Sequence, residues 1–243
     1  MMRDVIGKII ANRPEDPIAF LAEYFDSLEE QTSLVARARQ LIIMTHHSRP
    51  VFEINVRMAY ETLQKSKCFY AGAKRLYGVN GAVYNELMRA LCRDFPTAVM
   101  TKLLRKIECL DHEAIPYDVF KSGVFTCCVL EDYLKLVEYL FNSLDFTNSG
   151  KCDRALCEAV IEQLKSSLAS NKTDARKIVE AGYNLGPDGL FFALDKAMKK
   201  DTHISTALTL DMFTAECCEA FIAKVKNLRK QRSKLPYQVK KVR

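Results

Sequence analysis

Apolar residues recur at helical spacing along almost the whole chain, and this periodicity is the strongest constraint on its fold. The segment Val51 to Val56 alternates in the manner of a strand, but the pattern on both sides of it is helical. Glycine and proline are sparse, with 9 and 7 of 243 residues, which disfavours a turn-rich β-sandwich. We therefore predict an all-α protein, with helices at roughly residues 3–12, 17–30, 33–46, 50–66, 81–94, 97–109, 116–143, 153–169, 173–184, 187–200 and 209–230.

The distribution of charge and cysteine indicates a cytoplasmic protein without membrane contact. The longest stretch without a charged residue has ten residues, Leu76 to Asn85, about half of what a membrane-spanning helix needs. The first residues, MMRDVIGKII, become charged too early for a secretory signal. The nine cysteines are irregularly spaced and lie mostly within helical apolar patterns, so we interpret them as reduced, buried thiols.

The stretch RPEDPIAFLAEYF, Arg13 to Phe25, opens the second helix of an N-terminal hairpin. Asp16 is placed to cap this helix, and Pro17 suits its first turn. A hairpin of about thirty residues cannot bury its own apolar faces. It must pack on the rest of the chain, on a second copy or on a partner. The predicted docking interface consists of the apolar residues of the second helix, Ile18, Leu21, Ala22, Phe25 and Leu28, with Phe20 and Tyr24 on its flank.

The hairpin resembles the dimerisation/docking module of the regulatory subunit of cAMP-dependent protein kinase, in which two hairpins form a four-helix bundle. The residues that carry this resemblance are Pro14, Asp16, Pro17, Phe20, Tyr24 and Phe25. It implies a docking hairpin over residues 1–31 that pairs with a second copy or with another subunit. An alternative implication is a standalone anchoring protein that binds amphipathic helices of its partners.

A second resemblance covers about residues 5–226 and rests on several unusual strings in order. These are RPEDPIAFLAEYF, THHSRPVFEINVRMAYETL, GAVYNELMRALCRDF, LLRKIECLDHEAIPYDVFKSGVFTCCVLEDYL, LGPDGLFFALDKAM and FIAKVK. The set resembles the family of first subunits of the tubulin polyglutamylase complex. It implies a non-catalytic scaffold, with a helical body over residues 32–226, that helps to assemble the complex.

The partners implied by this resemblance are the other subunits of the complex, including a tubulin-tyrosine-ligase-like enzyme, and tubulin or microtubules. That enzyme uses ATP and magnesium to add glutamates to tubulin tails. The implied localisation is the cytoplasm and cytoskeleton, at centrioles, basal bodies, ciliary axonemes and neuronal microtubules. We expect this chain to have no catalytic residue and no cofactor of its own, and its sequence has no glycine-rich phosphate loop.

The segment DFTNSGKCDRAL, Asp145 to Leu156, has the outline of an EF-hand calcium loop. Asp145 matches loop position 1 and Gly150 matches the glycine of position 6, while Thr147 and Ser149 are weak oxygen ligands. Leu156 stands where a bidentate glutamate closes the calcium shell. We predict an EF-hand-like helix–loop–helix without the ligands for calcium.

No metal site is expected elsewhere, although a structural zinc ion bound by residues distant in sequence remains an alternative. His46 and His47 are adjacent, so on the predicted helix they point in different directions and cannot both bind one ion. Cys152 and Cys157 do not have the usual zinc spacing.

The C-terminal residues 227–243 form a basic tail. Residues 221–243 contain nine Lys and Arg and no acid, so the rest of the chain has 27 basic against 30 acidic residues despite a total charge of +6. Such a tail is either a disordered, solubilising segment or a contact for acidic partners such as tubulin tails. Nucleic acid fits the charge equally well, but the body has no recognition module, so we expect no nucleic-acid binding. The candidate contact residues are Lys224, Lys226, Arg229, Lys230, Arg232, Lys234, Lys240, Lys241 and Arg243.

Overall fold

The computed structural model describes residues 5–7, 9–10, 13–14, 16–22, 33–64, 78–170, 195, 207–225 and 227, and within them the protein is all-α, as predicted. Residues 5–7, 9–10 and 17–22 are helical and belong to the N-terminal hairpin. The helices that follow are α1 (Leu34–Ile43), α2 (Pro50–Gln64), α3 (Gly81–Leu91), α4 (Thr97–Ile107), α5 (Tyr117–Leu144), α6 (Arg154–Ser170) and α7 (Leu210–Lys224). The helices predicted at 173–184 and 187–200 lie outside the described residues, except for residue 195, which is helical.

Three helices are clearly shorter than predicted: α3 ends at Leu91 and α7 at Lys224, and α1 also ends early. The apolar pattern suggested a helix over residues 33–46, but α1 ends at Ile43. His46 and Ser48 form a turn there, since the His46 Nδ1 atom lies 2.7 Å from Ser48 Oγ and accepts a bond from the Ser48 backbone N. This local bonding offers the backbone an alternative to continuing the helix. Pro50 then begins α2.

The chain divides into two compact units, which are described separately. The first unit contains residues 1–94, 104–128 and 226–243, and the second contains residues 95–103 and 129–225. The sequence predicted a single body over residues 32–226, and the structure distributes this range between both units. No helix among the described residues is long and apolar enough to span a bilayer.

Among the described residues, each unit has one antiparallel pair of two-residue strands. In the first unit β1 (Val79–Asn80) pairs with β2 (Ala114–Ile115), and in the second β3 (Lys151–Cys152) pairs with β4 (Leu208–Thr209). Each strand lies directly before a helix, namely α3, α5, α6 and α7 in chain order. The short ladders therefore join the loops that precede these helices.

The core of the first unit contains aromatic residues with satisfied hydroxyl groups. Tyr60 and Tyr84 both contact the ring of Phe120, with ring centroids 5.2 and 6.2 Å apart. The Tyr84 hydroxyl donates to the carbonyl of Ile107 at 3.1 Å. A side chain at Gly123 would collide with this hydroxyl, because an added Cβ would lie 2.1 Å from it.

Buried Asn85 fastens α3 to the loop before β2. Its Nδ2 atom donates to the carbonyl of Cys109 at 2.8 Å and to Oδ1 of Asp111 at 2.9 Å. Its Oδ1 atom accepts from the backbone N of Cys109 at 3.0 Å. Gly81 allows the close approach of this loop, since an added Cβ would lie 2.0 Å from the Leu110 carbonyl oxygen. The bonds of Asn85 and the absence of a side chain at Gly81 together hold the loop before β2 against α3.

The second unit packs α5 against α7 through aromatic side chains. The rings of Tyr133 and Phe221 lie 5.2 Å apart, and those of Phe141 and Phe213 lie 5.7 Å apart. The Tyr133 hydroxyl donates to the carbonyl of Cys217 at 3.2 Å. The polar atom of this buried tyrosine is thereby satisfied, as an apolar core requires.

Candidate docking surface

The N-terminal hairpin has the turn chemistry that its sequence predicted. Asp16 Oδ1 accepts bonds from the backbone N of Ile18 at 2.9 Å and of Ala19 at 3.0 Å, so Asp16 caps the helix that begins at Pro17. The turn before it is tied to the body, because Arg49 Nη1 donates to the carbonyl of Arg13 at 3.0 Å.

One side of the hairpin packs on the end of α1, and we call it the inner face. Val5 and Phe20 are buried against Met44, the residue that follows α1. Ile9, Leu21 and Leu41 pack around this cluster. Phe20, which the sequence analysis placed on the flank of the hairpin, therefore belongs to the buried cluster that packs the hairpin on the end of α1. Of the three alternatives, packing on the rest of the chain applies to this face.

Several aliphatic residues of the hairpin are exposed, and we call four of them, Ile6, Ile10, Ile18 and Ala22, the outer face. Ile6, Ile10 and Ile18 are 49, 68 and 78% exposed, and Ala22 is also exposed. Ile6 and Ile10 stand four residues apart, as do Ile18 and Ala22, so each pair shares one side of its helix. Three large aliphatic side chains exposed on so short a segment make the hairpin a candidate interaction site.

The predicted docking interface is divided between the two faces. Ile18 and Ala22 lie on the outer face, whereas Leu21 is half-buried on the inner face. Phe25 and Leu28 lie outside the described residues. The outer face also includes Ile6 and Ile10 of the first helix, which the sequence analysis had not assigned to the interface. Their spacing of four residues on a short amphipathic helix was the available signal.

Of the nine predicted contact residues at the basic C-terminus, Lys224 lies among the residues that the structure describes. Lys224 is exposed in the last turn of α7, where a cation also suits the negative end of the helix dipole. The other eight predicted contact residues, from Lys226 to Arg243, lie outside the described residues.

The cysteine thiols are arranged for packing. Among the described residues eight cysteines are free, and all are buried except Cys128, which is half-buried. Burial raises the pKa of Cys157 and of Cys218 to about 12 in each case, with the neighbouring Cys152 adding to the shift at Cys157. Burial also raises the pKa values of Cys152 and Cys217. Thiols with raised pKa values are poor nucleophiles because the thiolate is the reactive form.

His46 and His47 lie closer together than their sequence suggested. The prediction that their rings point apart assumed a helix, and it was wrong because both residues lie in the turn after α1. Their rings stack with centroids 4.4 Å apart. Buried His47 also meets the rings of Phe52 and Phe125 edge-on, while His46 bonds to Ser48. Two imidazoles supply half of a tetrahedral zinc shell.

Comparison with known proteins gives two family matches. Residues 29–226 match the model described as "Tubulin polyglutamylase complex subunit 1-like, C-terminal". Residues 3–33, which span the hairpin, match the model described as "Regulatory subunit of type II PKA R-subunit". No solved structure matches the chain.

A curated relative confirms the first match over nearly the full chain. Subunit 1 of the tubulin polyglutamylase complex from Homo sapiens is 37% identical over an alignment 248 positions long, which covers 93% of this chain and 83% of the relative. Identity at this level over 93% of the chain shows that it belongs to the tubulin polyglutamylase complex subunit 1 family.

Proposed function

We propose that this chain is a non-catalytic scaffold subunit of a tubulin polyglutamylase complex. It helps to assemble the complex and to position a tubulin-tyrosine-ligase-like catalytic subunit for the glutamylation of tubulin tails. The complex acts on the cytoskeleton, including centrioles, basal bodies, ciliary axonemes and neuronal microtubules. Family membership supports this function, and the exposed outer face of the hairpin is the observation on which its mechanism rests.

The outer face docks a hairpin of another subunit or of a second copy of this chain. Three isoleucines that are 49 to 78% exposed can be removed from water there. Burying them contributes roughly 3–6 kcal/mol before the cost of association is subtracted. A micromolar complex needs about 8 kcal/mol. The outer face is therefore the apolar centre of an interface to which further contacts contribute.

A pair of variants separates the two faces of the hairpin. Ile18→Asp places a charge on the outer face and is expected to abolish co-purification of the other subunits, because a buried unpaired charge is strongly unfavourable. It leaves the thermal stability of the isolated chain unchanged, since Ile18 is 78% exposed. Phe20→Ala on the inner face is expected to lower that stability instead.

The matched control is Ile54→Asp, which places the same charge on α2 at a residue 59% exposed. It should leave both the subunit yield and the stability unchanged. Wild-type recovery of the other subunits with Ile18→Asp, together with an unchanged oligomeric state of the isolated variant, would refute docking through the outer face. Light scattering of the isolated wild-type chain then distinguishes the occupants: a dimer indicates a second copy, and a monomer indicates another subunit.

Absence of catalysis is tested directly. The purified chain with ATP, magnesium and tubulin is expected to add no glutamate, whereas the assembled complex is active. Glutamylation by the chain alone would refute the scaffold assignment.

We propose that the basic tail contacts the acidic tails of tubulin. Lys224 is exposed in the last turn of α7, just before the tail, and the remaining cations follow in the sequence. Co-sedimentation with microtubules should weaken when residues 227–243 are removed and when salt is increased. Binding that is unaffected by removal of the tail would refute this contact.

A second candidate function is that of a standalone anchoring protein. The match of residues 3–33 to the kinase regulatory-subunit model favours it, because docking hairpins of this kind bind amphipathic helices. A pull-down from cells distinguishes the two functions. Recovery of a ligase-like subunit supports the scaffold, and recovery of amphipathic-helix proteins alone supports the anchor.

A further inference from the structure

The loop between α5 and α6 has the backbone plan of an EF-hand calcium loop. Asp145 directly follows α5 at loop position 1, and α6 begins at Arg154. Gly150 at position 6 has a φ of 72°, and Asn148 has a φ of 51°, so the chain turns sharply through the left-handed region at both residues. An EF-hand loop requires a glycine for its turn at position 6.

The pairing of this loop also follows the EF-hand plan. Strand β3 occupies loop positions 7 and 8, and its Cys152 lies opposite Leu208 of β4, which leads into α7. A short antiparallel ladder of this kind joins the two loops of an EF-hand pair. The first unit repeats the arrangement with Val79 of β1 opposite Ile115 of β2.

Protein donors occupy the oxygen atoms that would face a calcium ion. Asp145 Oδ2 accepts from the backbone N of Gly150 at 2.6 Å, and Oδ1 accepts from the backbone N of Ser149 at 3.0 Å. The hydroxyl of Thr147 lies 3.3 Å from Oδ1. The hydroxyl of Ser149 lies 3.3 Å from Oδ1 and 3.1 Å from the carbonyl oxygen of Lys151, the ligand of position 7.

These bonds favour the charged carboxylate without a metal ion. Burial of Asp145 acts to raise its pKa, but the bonds from Ser149, Gly150 and Thr147 outweigh this effect and hold the pKa below the ordinary value of 3.8. The negative charge of Asp145 is thereby stabilised by the loop itself.

The remaining side chains of the loop do not fit calcium. Positions 3 and 5 carry hydroxyls in place of carboxylates, and position 12 carries Leu156. Asp153 at position 9 keeps its carboxylate, but its Oδ1 accepts from the backbone N of Ala155 at 2.8 Å and so caps α6. A shell with two carboxylates, both hydrogen-bonded to backbone, is too weak for a calcium site.

We propose that residues 145–156 are an EF-hand loop in which hydrogen bonds to Asp145 replace the calcium ion, so that the second unit keeps its fold independently of calcium. The scaffold then has the same loop geometry at resting and at raised calcium concentration. The loop retains an EF-hand frame into which the missing ligands can be restored.

Restoring three ligands tests this frame in the full chain. The variant Thr147→Asp/Ser149→Asp/Leu156→Glu has carboxylates at positions 1, 3, 5, 9 and 12 and a glycine at position 6. We expect it to bind calcium with a Kd between about 10⁻⁷ and 10⁻³ M by titration calorimetry. Its Tm should rise in millimolar calcium, because the ion binds only the folded loop.

The matched control adds Asp145→Ala to the triple variant, which removes the ligand of position 1 and should abolish calcium binding. The wild-type chain should give no binding heat and no change in Tm at millimolar calcium. A folded triple variant that does not bind calcium, or wild-type binding with a Kd below roughly 10⁻⁴ M, would overturn the proposal.

A measurement that needs no folded triple variant uses Asp145→Asn. Asparagine keeps one acceptor oxygen but has an NH2 group in place of Oδ2, which accepts from the backbone N of Gly150, so the amide hydrogen exchange of Gly150 should accelerate roughly tenfold or more. Calcium should not change the exchange in the wild-type chain. Unchanged exchange in the variant, or calcium-dependent protection in the wild-type chain, would contradict the role given to Asp145.

Discussion

The bonds of Asn85 make the clearest quantitative prediction about the first unit. Asn85 is 3% exposed and makes two buried bonds to the backbone of Cys109 and a third bond to Asp111. Asn85→Ala removes all three. The bond to Asp111 is partly exposed, so water can replace it, whereas the two buried bonds cost about 1–1.5 kcal/mol each. With the lost packing of the side chain we expect a destabilisation of about 2–4 kcal/mol.

Urea denaturation of the full chain measures this loss, and amide exchange at Cys109 and Leu110 locates it. The matched control is Asn80→Ala, which removes the exposed bond from the backbone N of Ala82 to the α3 cap and should cost about 1 kcal/mol. If Asn85→Ala lowers the free energy of unfolding no more than Asn80→Ala does, other contacts and not those of Asn85 hold the loop.

Three further predictions concern packing, pH and thiol chemistry. Gly123→Ala should destabilise the chain by about 1–3 kcal/mol in thermal or urea unfolding, despite the higher helix propensity of alanine, because its methyl group meets Tyr84; a neutral result would refute the close contact. Asp145→Asn should be less stable than wild type at neutral pH. Because the native pKa of Asp145 lies below 3.8, this difference should disappear as the pH falls through the native value, and a difference that persists in acid by urea titration would contradict the assignment. Cys157 and Cys218 have pKa values raised from 9.0 to about 12, so near pH 8 they carry about a thousandfold less thiolate than in the unfolded chain. Iodoacetamide, followed by mass spectrometry, should label them only after unfolding, and rapid native labelling would refute this.

Local chemistry made most of the helices predictable. Asp16 was expected as a cap from its position before an apolar periodic segment, and Ser33 and Asp153 stand in the same position; each accepts a backbone bond in the first turn of its helix. The apolar period also identified α2, where the alternating segment from Val51 to Val56 is helical. These features depend on residues within one turn of each other, which is the range that a sequence pattern encodes.

Contacts between distant segments were not predictable in the same way. The hairpin is apolar on both sides, so the sequence could not decide whether Phe20 or Ile18 faces the body; Met44, distant in sequence, decides it. The strand pairs have two residues each and leave no period to detect. The EF-hand outline of residues 145–156 was recognisable, but its pairing was not, because the strand partner Leu208 is distant in sequence.

The packing of the hairpin on α1 determines how a protein bound to the outer face is oriented. Because Phe20 and Val5 pack against Met44, a protein that binds the outer face is attached to a packed element and not to a flexible linker. The first unit then sets the orientation of the bound protein, and little chain entropy is lost on binding. A variant with weaker packing of the hairpin on α1 would still bind its partner through the outer face, but the bound partner could change its orientation.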